Sequence, residues 1–166
     1  MEAVLAGADV ILNACSSVGE VANLAKPLGK YIGVPIVRID QEMCYEAIRQ
    51  GKRIGLLATL STTLEPTKQT LRDAARELGK EVELVDGLVE GAFNVEQNIF
   101  KEMLCAKARE IVNQVDVIVL CQGSMAYARQ AVQEAIGKPV LASPAFGAMA
   151  LKATLEKQGK LGGVKC

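Results

Sequence analysis

The chain has 166 residues, half of them hydrophobic, which is enough to bury a core as one domain or as two small lobes. Basic and acidic residues each total 19, so neither nucleic acid nor an anionic membrane is an expected partner. The apolar runs have strand length and no signal-peptide pattern opens the chain, which favours a cytoplasmic location. Five cysteines without C-x-x-C spacing argue against a disulfide framework and against a metal site of the zinc type.

Strand and helix patterns alternate along the chain and predict an α/β fold with parallel sheets flanked by helices. Residues 1–51 are expected to form a partial first lobe of Rossmann type. Its predicted elements are a strand at 10–13, a helix at 17–26 that ends at Pro27, a strand at 33–39 and a helix between Asp40 and Gly51. Two strands are too few for a covered parallel sheet, so we expect an upstream segment or a partner chain to complete this lobe.

The pattern restarts after residue 51 and predicts a second Rossmann-like lobe over 52–142. Its expected strands lie at 54–58, 81–89, 117–120 and 140–142, and its helices at about 62–78, 95–114 and 124–136. A closing helix is predicted at 146–157. We expect the segment 143–166, which contains this helix, to pack back on the first lobe.

Two of these strands are followed by a cysteine and a serine, and the carboxyl ends of parallel strands are where α/β proteins present reactive groups. Cys15 is predicted to lie just before a helix, where free amides and the helix dipole favour a thiolate. Because the chain has no histidine, a thiol is a strong candidate for proton transfer. Cys121 fits the same role, or it is the last buried residue of its strand. The alternative interpretation of Cys15 is a small buried apolar residue packed under the loop.

Polar residues surround these cysteines and follow the strand at 54–58. Their hydroxyls and free amides predict a pocket for a small carboxylate. The candidate binding residues are Asn13, Ser16, Ser17, Thr59, Ser61, Thr62, Gln122 and Ser124. Helix capping by Thr62 or Thr63 explains the middle cluster equally well. The other cysteines, Cys44, Cys105 and Cys166, are interpreted as structural or incidental.

Three segments resemble motifs of the aspartate/glutamate/hydantoin racemase superfamily: NACSS at 13–17, LATLST at 57–62 and DVIVL at 116–120. The resemblance implies two similar lobes with a small amino acid or related carboxylate bound between them. It also implies catalysis without a cofactor, in which Cys15 and Cys121 would exchange protons with opposite faces of the α-carbon. Thr59, Ser61, Thr62 and the Asn13 amide would hold the substrate carboxylate. Whether the chain forms a homo-oligomer is left open.

The second cysteine departs from the family pattern. Cys15 is the sixth residue after Asp9, whereas Cys121 is only the fifth after Asp116, and the usual family strand would place the second thiol at Gln122. Either the loop shifts so that Cys121 reaches the cleft, or Gln122 takes that place and binds substrate. The second case resembles one-cysteine decarboxylases, lyases or isomerases of the same superfamily. A non-catalytic module that binds small carboxylates is a third hypothesis.

Overall fold

The computed structural model describes residues 2–92 and 94–161, so Cys166 lies outside the described residues. The helices are α1 (Glu2–Leu5), α2 (Gly19–Tyr31), α3 (Gln41–Gln50), α4 (Ser61–Glu77), α5 (Gln97–Ile111), α6 (Arg129–Ile136) and α7 (Ser143–Lys157). The strands are β1 (Ile11–Asn13), β2 (Ile36–Arg38), β3 (Arg53–Ala58), β4 (Glu83–Leu88), β5 (Val117–Leu120) and β6 (Val140–Ala142). Across the described ranges, no helix is long and apolar enough to cross a membrane.

The larger sheet has the strand order β4-β3-β5-β6, and all of its pairings are parallel. Both faces are covered, so its central strands are buried along nearly their whole length. Alternate residues of β5 face different cores: Val119 packs on one side with α3 and α4, and Leu120 packs on the other with α5 and α6. The predicted α/β fold with helix-flanked parallel sheets is confirmed.

The smaller sheet pairs β1 with β2 in parallel, with Ile11 opposite Ile36. Helix α2 packs closely on it at Gly29, where a side chain would collide with the Val34 carbonyl and with Ile36. Much of the outer surface of this unit is apolar and exposed, including Leu24 and Tyr31 at more than four fifths of their area. The two-stranded sheet and its helix thus leave much apolar surface exposed, and their description as a partial first lobe stays a prediction.

Helix α3 joins the two sheets. It comes before the predicted lobe boundary at residue 51, yet Met43, Cys44 and Ile48 pack into the core of the larger sheet. After α7, Gln158 donates to the Gly33 carbonyl at 3.2 Å and Lys160 pairs with Asp9 at 2.9 Å. The boundary between lobes stays a prediction, but α3 belongs by packing to the larger sheet.

A structural repeat relates the first and last parts of the chain. In each, a strand leads through a 3₁₀ turn to a helix, a second parallel strand and another helix. The first copy is β1, the turn Ser16–Val18, α2, β2 and α3; the second is β5, the turn Gly123–Ala128, α6, β6 and α7. Positions in one copy can therefore be compared directly with positions in the other.

A buried ion pair links the first copy to α4. Arg38 and Asp40 are almost completely buried, and the guanidinium binds both carboxylate oxygens, at 3.0 and 2.8 Å. The same guanidinium donates to the Thr70 hydroxyl of α4 at 2.7 Å. Gly19 lies directly against it, and a Cβ at that position would overlap the guanidinium atoms. The ion pair therefore holds the start of α2 against the larger lobe.

Two predictions about helix ends are wrong. Pro27 does not end α2, which continues to Tyr31. The proline removes only one helical hydrogen bond. The close packing of Gly29 on β2 holds the following turn in place despite this loss. Helix α4 begins at Ser61, with Leu60 in the capping position and no side-chain cap. Thr63 instead lies inside the first turn and donates back to the Leu60 carbonyl.

Asp116 joins the beginnings of β5 and β3. Its carboxylate accepts hydrogen bonds from the backbone amides of Lys52 and Arg53 and from the Arg53 guanidinium. The Arg53 hydrogen bond is the largest cause that lowers the pKa of Asp116 to about 2. Because the folded pKa lies below the unfolded value of about 4, this stabilisation is present above pH 4 and is lost as the pH falls toward 2.

We therefore expect Asp116→Asn to lower the melting temperature at pH 7, with a difference from the parent protein that shrinks between pH 4 and pH 2. Thermal melts followed by circular dichroism across pH 2–7 measure this difference. Asp73→Asn, on an exposed pair within one helix, is the control and should change the pH profile little. An Asp116→Asn difference that stays constant with pH would contradict the assignment.

Candidate active site at the strand ends

Cys15 lies at the carboxyl edge of the smaller sheet, two residues after β1. Its backbone is extended, with φ −115° and ψ 113°, and it comes directly before the 3₁₀ turn Ser16–Val18. The residue is exposed, while the turn that follows packs against α4. The thiol is thus open to a ligand, and its turn lies against the helix that also bears Ser61 and Thr62.

The structural counterpart of Cys15 in the second copy of the repeat is Gln122. It too has extended backbone, with φ −120° and ψ 131°, and comes directly before the 3₁₀ turn Gly123–Ala128. Counting back from each turn, Cys121 corresponds to Ala14. The two half-sites therefore share a backbone arrangement, but they present a thiol on one side and a carboxamide on the other.

Hydrogen bonds fix the orientation of the Gln122 side chain. Its Oε1 accepts from the Thr59 amide at 2.9 Å and from the Thr59 hydroxyl at 3.0 Å. Because the oxygen is held on Thr59, the amide NH₂ group is directed away from that residue. A carboxamide does not titrate near neutral pH, so Gln122 can bind a ligand but cannot act as an acid or base.

Cys121 is directed into the core. It is 1% exposed and packs with Met43, Cys44 and Val119 in the cluster beneath α3 and α4. Its thiol lies beside the Thr67 hydroxyl, which donates to the Thr63 carbonyl. Burial raises the pKa of Cys121 to about 12, so the group is a neutral thiol throughout the physiological range. This is the arrangement of a core residue, the alternative that the sequence left open.

The remaining predicted binding residues lie at the same strand ends with different exposure. Ser17, Ser61, Thr62 and Ser124 are exposed, Asn13 is half-buried, and Ser16 and Thr59 are buried. Ser61 and Thr62 form the uncapped first turn of α4, where backbone amides lack helical partners. Ser124 lies within its 3₁₀ turn rather than in the capping position. The exposed groups among them can bind a carboxylate through amides and hydroxyls. The buried Thr59 does not offer the predicted carboxylate contact, because its amide and hydroxyl both donate to Gln122.

The prediction from sequence did not include Ser143, although it follows strand β6 directly. Its side chain is 1% exposed, and its hydroxyl has no hydrogen-bond partner among the described residues. Strand ends supplied the other candidates, so the same rule applied to β6 could have found it. The short strand and the proline that follows gave no motif by which to recognise it.

A cavity of about 610 Å³ lies elsewhere, where α2, β2, α3 and α7 meet. Lys26, Glu42, Arg49 and Lys157 line it together with apolar groups from α7, and no predicted site residue does. The pKa of Lys26 is lowered, mainly by burial and then by Arg38. This cavity is separate from the strand ends that carry Cys15 and Gln122.

Residues 1–151 match the family model for Asp/Glu/hydantoin racemases, and the chain belongs to that family. A glutamate racemase of Bacillus anthracis superposes with a TM-score of 0.69 at 16% identity, over 92% of this chain and 60% of that one. An allantoin racemase of Klebsiella pneumoniae gives 0.70 at 16% identity, over 95% and 63%. An arylmalonate decarboxylase gives 0.61 at 18% identity, over 97% and 72%.

These similarities in structure show a shared fold. The chain spans about three fifths of the two racemases. Comparison with curated protein sequences gives no significant match.

The burial of the cysteines predicts their chemical reactivity. Under native conditions we expect iodoacetamide to modify Cys15 quickly and to leave Cys44 and Cys121 unmodified, because burial raises the pKa of both core thiols and excludes the reagent. Peptide mass mapping measures each site, and the urea-unfolded protein is the control in which all three react. Native modification of Cys121 at a rate like that of Cys15 would contradict the described core.

Proposed function

We propose that the protein is a one-thiol enzyme of the racemase family that acts at the carbon next to the carboxylate of a small acid. The observation that carries this proposal is the equivalence of Cys15 and Gln122, each in extended backbone before a 3₁₀ turn. The thiol and the carboxamide occupy matching places in the two halves. The site thus has one titratable group where a two-base racemase needs two.

Decarboxylation of a 2-substituted malonate is the reaction that best suits such a site. The bond between the α-carbon and one carboxylate breaks, CO₂ leaves, and the electron pair remains on the α-carbon. The Cys15 thiol then donates its proton to that carbon, and the resulting thiolate takes a proton from water. One acid is enough because no proton has to be removed from the opposite face. The reaction uses no redox step and no co-reactant except water.

The residues around Cys15 supply the binding groups for this reaction. The first-turn amides and hydroxyls of Ser61 and Thr62 suit the carboxylate that remains, since an uncapped helix start favours an anion. The Gln122 NH₂ group suits an oxygen of the developing enediolate, because Thr59 holds the carboxamide in one orientation. The arylmalonate decarboxylase among the structural neighbours supports the substrate class at the level of fold.

Racemisation by Cys15 and Cys121 is the other candidate function, and the racemase neighbours favour it. It requires the Cys121 thiol to leave a core in which its pKa is about 12 and to face the cleft. In a strand, adjacent side chains point to opposite faces, so Cys121 and Gln122 cannot both be directed at the substrate without a backbone change. The described packing therefore favours the one-thiol reaction.

Substituting each cysteine separates the two candidates. We expect Cys15→Ala to reduce turnover of phenylmalonate by about 10²–10⁴-fold, the usual contribution of an acid–base group. We expect Cys121→Ala to keep turnover within a few-fold and to lower stability by about 1 kcal/mol, as is typical of a core substitution. Proton NMR in D₂O measures both the loss of substrate and the deuterium incorporated at the α-carbon.

The same NMR assay with D- and L-glutamate and allantoin tests racemisation. Exchange of their α-hydrogen that disappears in Cys121→Ala would favour the two-thiol reaction and contradict our proposal. Ligand binding that raises the melting temperature, without turnover or exchange of any of these compounds, would indicate a binding module instead.

The equivalence of Gln122 and Cys15 gives a second prediction. We expect Gln122→Cys to add a thiol facing the opposite side of the substrate. It should introduce α-proton exchange of 2-phenylpropionate, the arylpropionate formed from 2-methyl-2-phenylmalonate, which the parent protein lacks. Gln122→Ser is the matched control, since it shortens the side chain without adding an acid of suitable pKa. Chiral chromatography of the recovered arylpropionate measures racemisation. Equal behaviour of the two variants would contradict the assigned geometry.

A further inference from the structure

Ser143 is a buried hydroxyl that neither the fold nor the reaction described above uses. It is the first residue of α7, directly after β6, and is 1% exposed. Among the described residues its Oγ has no hydrogen-bond partner. Most buried polar atoms in proteins are hydrogen-bonded, so an unpaired hydroxyl at the carboxyl edge of a sheet needs a group that completes it.

The surroundings of Ser143 connect it to both half-sites. A Cβ built on Gly123, the residue after Gln122, would lie 3.6 Å from Ser143 Oγ and 3.8 Å from Ile39 Cδ1. The Ile39 amide in turn donates to the Asn13 carbonyl at 3.0 Å, two residues before Cys15. Ser143 and Gly123 of the larger sheet thus meet Ile39 and Asn13 of the smaller one. The hydroxyl lies where the two copies of the repeat approach each other.

A second unpaired atom belongs to Asn13, the residue whose backbone carbonyl accepts from the Ile39 amide. Asn13 Oδ1 is buried and, like Ser143 Oγ, has no partner among the described residues. One of these atoms comes from the end of β1 and the other from the start of α7, so both sheets contribute. Gly123 has no side chain to fill the space near Ser143, and its neighbours lie at ordinary van der Waals distances.

We propose that Ser143 is a further substrate-binding residue whose hydroxyl donates a hydrogen bond to a carboxylate oxygen of the bound acid. The carboxylate is the second one of a malonate, because Ser61 and Thr62 on α4 take the first. This inference rests on the proposed function for its substrate class. It adds a binding group from β6 and α7, elements outside the three motifs that indicated the family.

The test measures binding and folding separately. In a Cys15→Ala background, which slows turnover, we expect Ser143→Ala to raise the Kd of phenylmalonate about tenfold, as measured by calorimetry. The melting temperature without ligand should stay the same or rise, because the substitution removes an unpaired buried hydroxyl. Thr154→Val is the matched control: its hydroxyl donates to the Ala150 carbonyl within the same helix, so its loss should leave the Kd unchanged.

The outcomes distinguish this inference from the proposed function. A Kd that Ser143→Ala leaves unchanged overturns the role of Ser143, whether or not Cys15 is needed for turnover. A weakened Kd in a protein that never decarboxylates phenylmalonate supports the role of Ser143 and overturns the proposed reaction. Absence of binding by phenylmalonate, malonate and glutamate overturns both.

Discussion

The buried pair of Arg38 and Asp40 is the contact on which the arrangement of the site depends. Removing two charges from water is costly, and here the two hydrogen bonds of the carboxylate and the further bond to Thr70 offset that cost. The pair comes from the end of β2, but Thr70 belongs to α4, and Gly19 at the start of α2 lies against the guanidinium. The turn that follows Cys15 is therefore held against α4, whose first turn contains Ser61 and Thr62.

The structural repeat explains how one family fold can carry different chemistry. Each copy presents one side chain from extended backbone before a 3₁₀ turn, and each such position lies at the carboxyl end of a parallel strand. In the proposed reaction, Cys15 is the acid–base group of the first copy and Gln122 is a neutral binding group of the second. Under this proposal, the residue type at the second position decides which reactions are available on the same backbone arrangement.

Much of this site could be predicted by counting along the chain. The different spacing of Cys15 and Cys121 from their preceding aspartates left two alternatives: a shifted loop that brings Cys121 to the cleft, or Gln122 in the place of the second thiol. The residue count is informative because side chains alternate between the two faces of a strand. A shift of one residue therefore turns the cysteine side chain to the opposite face. The residue count alone does not decide whether the loop after β5 moves so that Cys121 reaches the cleft. The burial of Cys121 among residues of α3 and α4 answers that question for the described structure.

The sequence by itself determined the α/β class, the approximate position of every strand and the strand ends at which polar residues gather, because hydrophobic periodicity and turn residues act over a few positions. Only the tertiary structure decided that α3 packs on the larger sheet, that α2 continues past Pro27, that Arg38 is buried and that the Ser143 hydroxyl lacks a partner among the described residues. Each of these depends on contacts between residues far apart in the chain. Such contacts decide which face of an element is covered and which polar group finds a partner, and no local pattern records them.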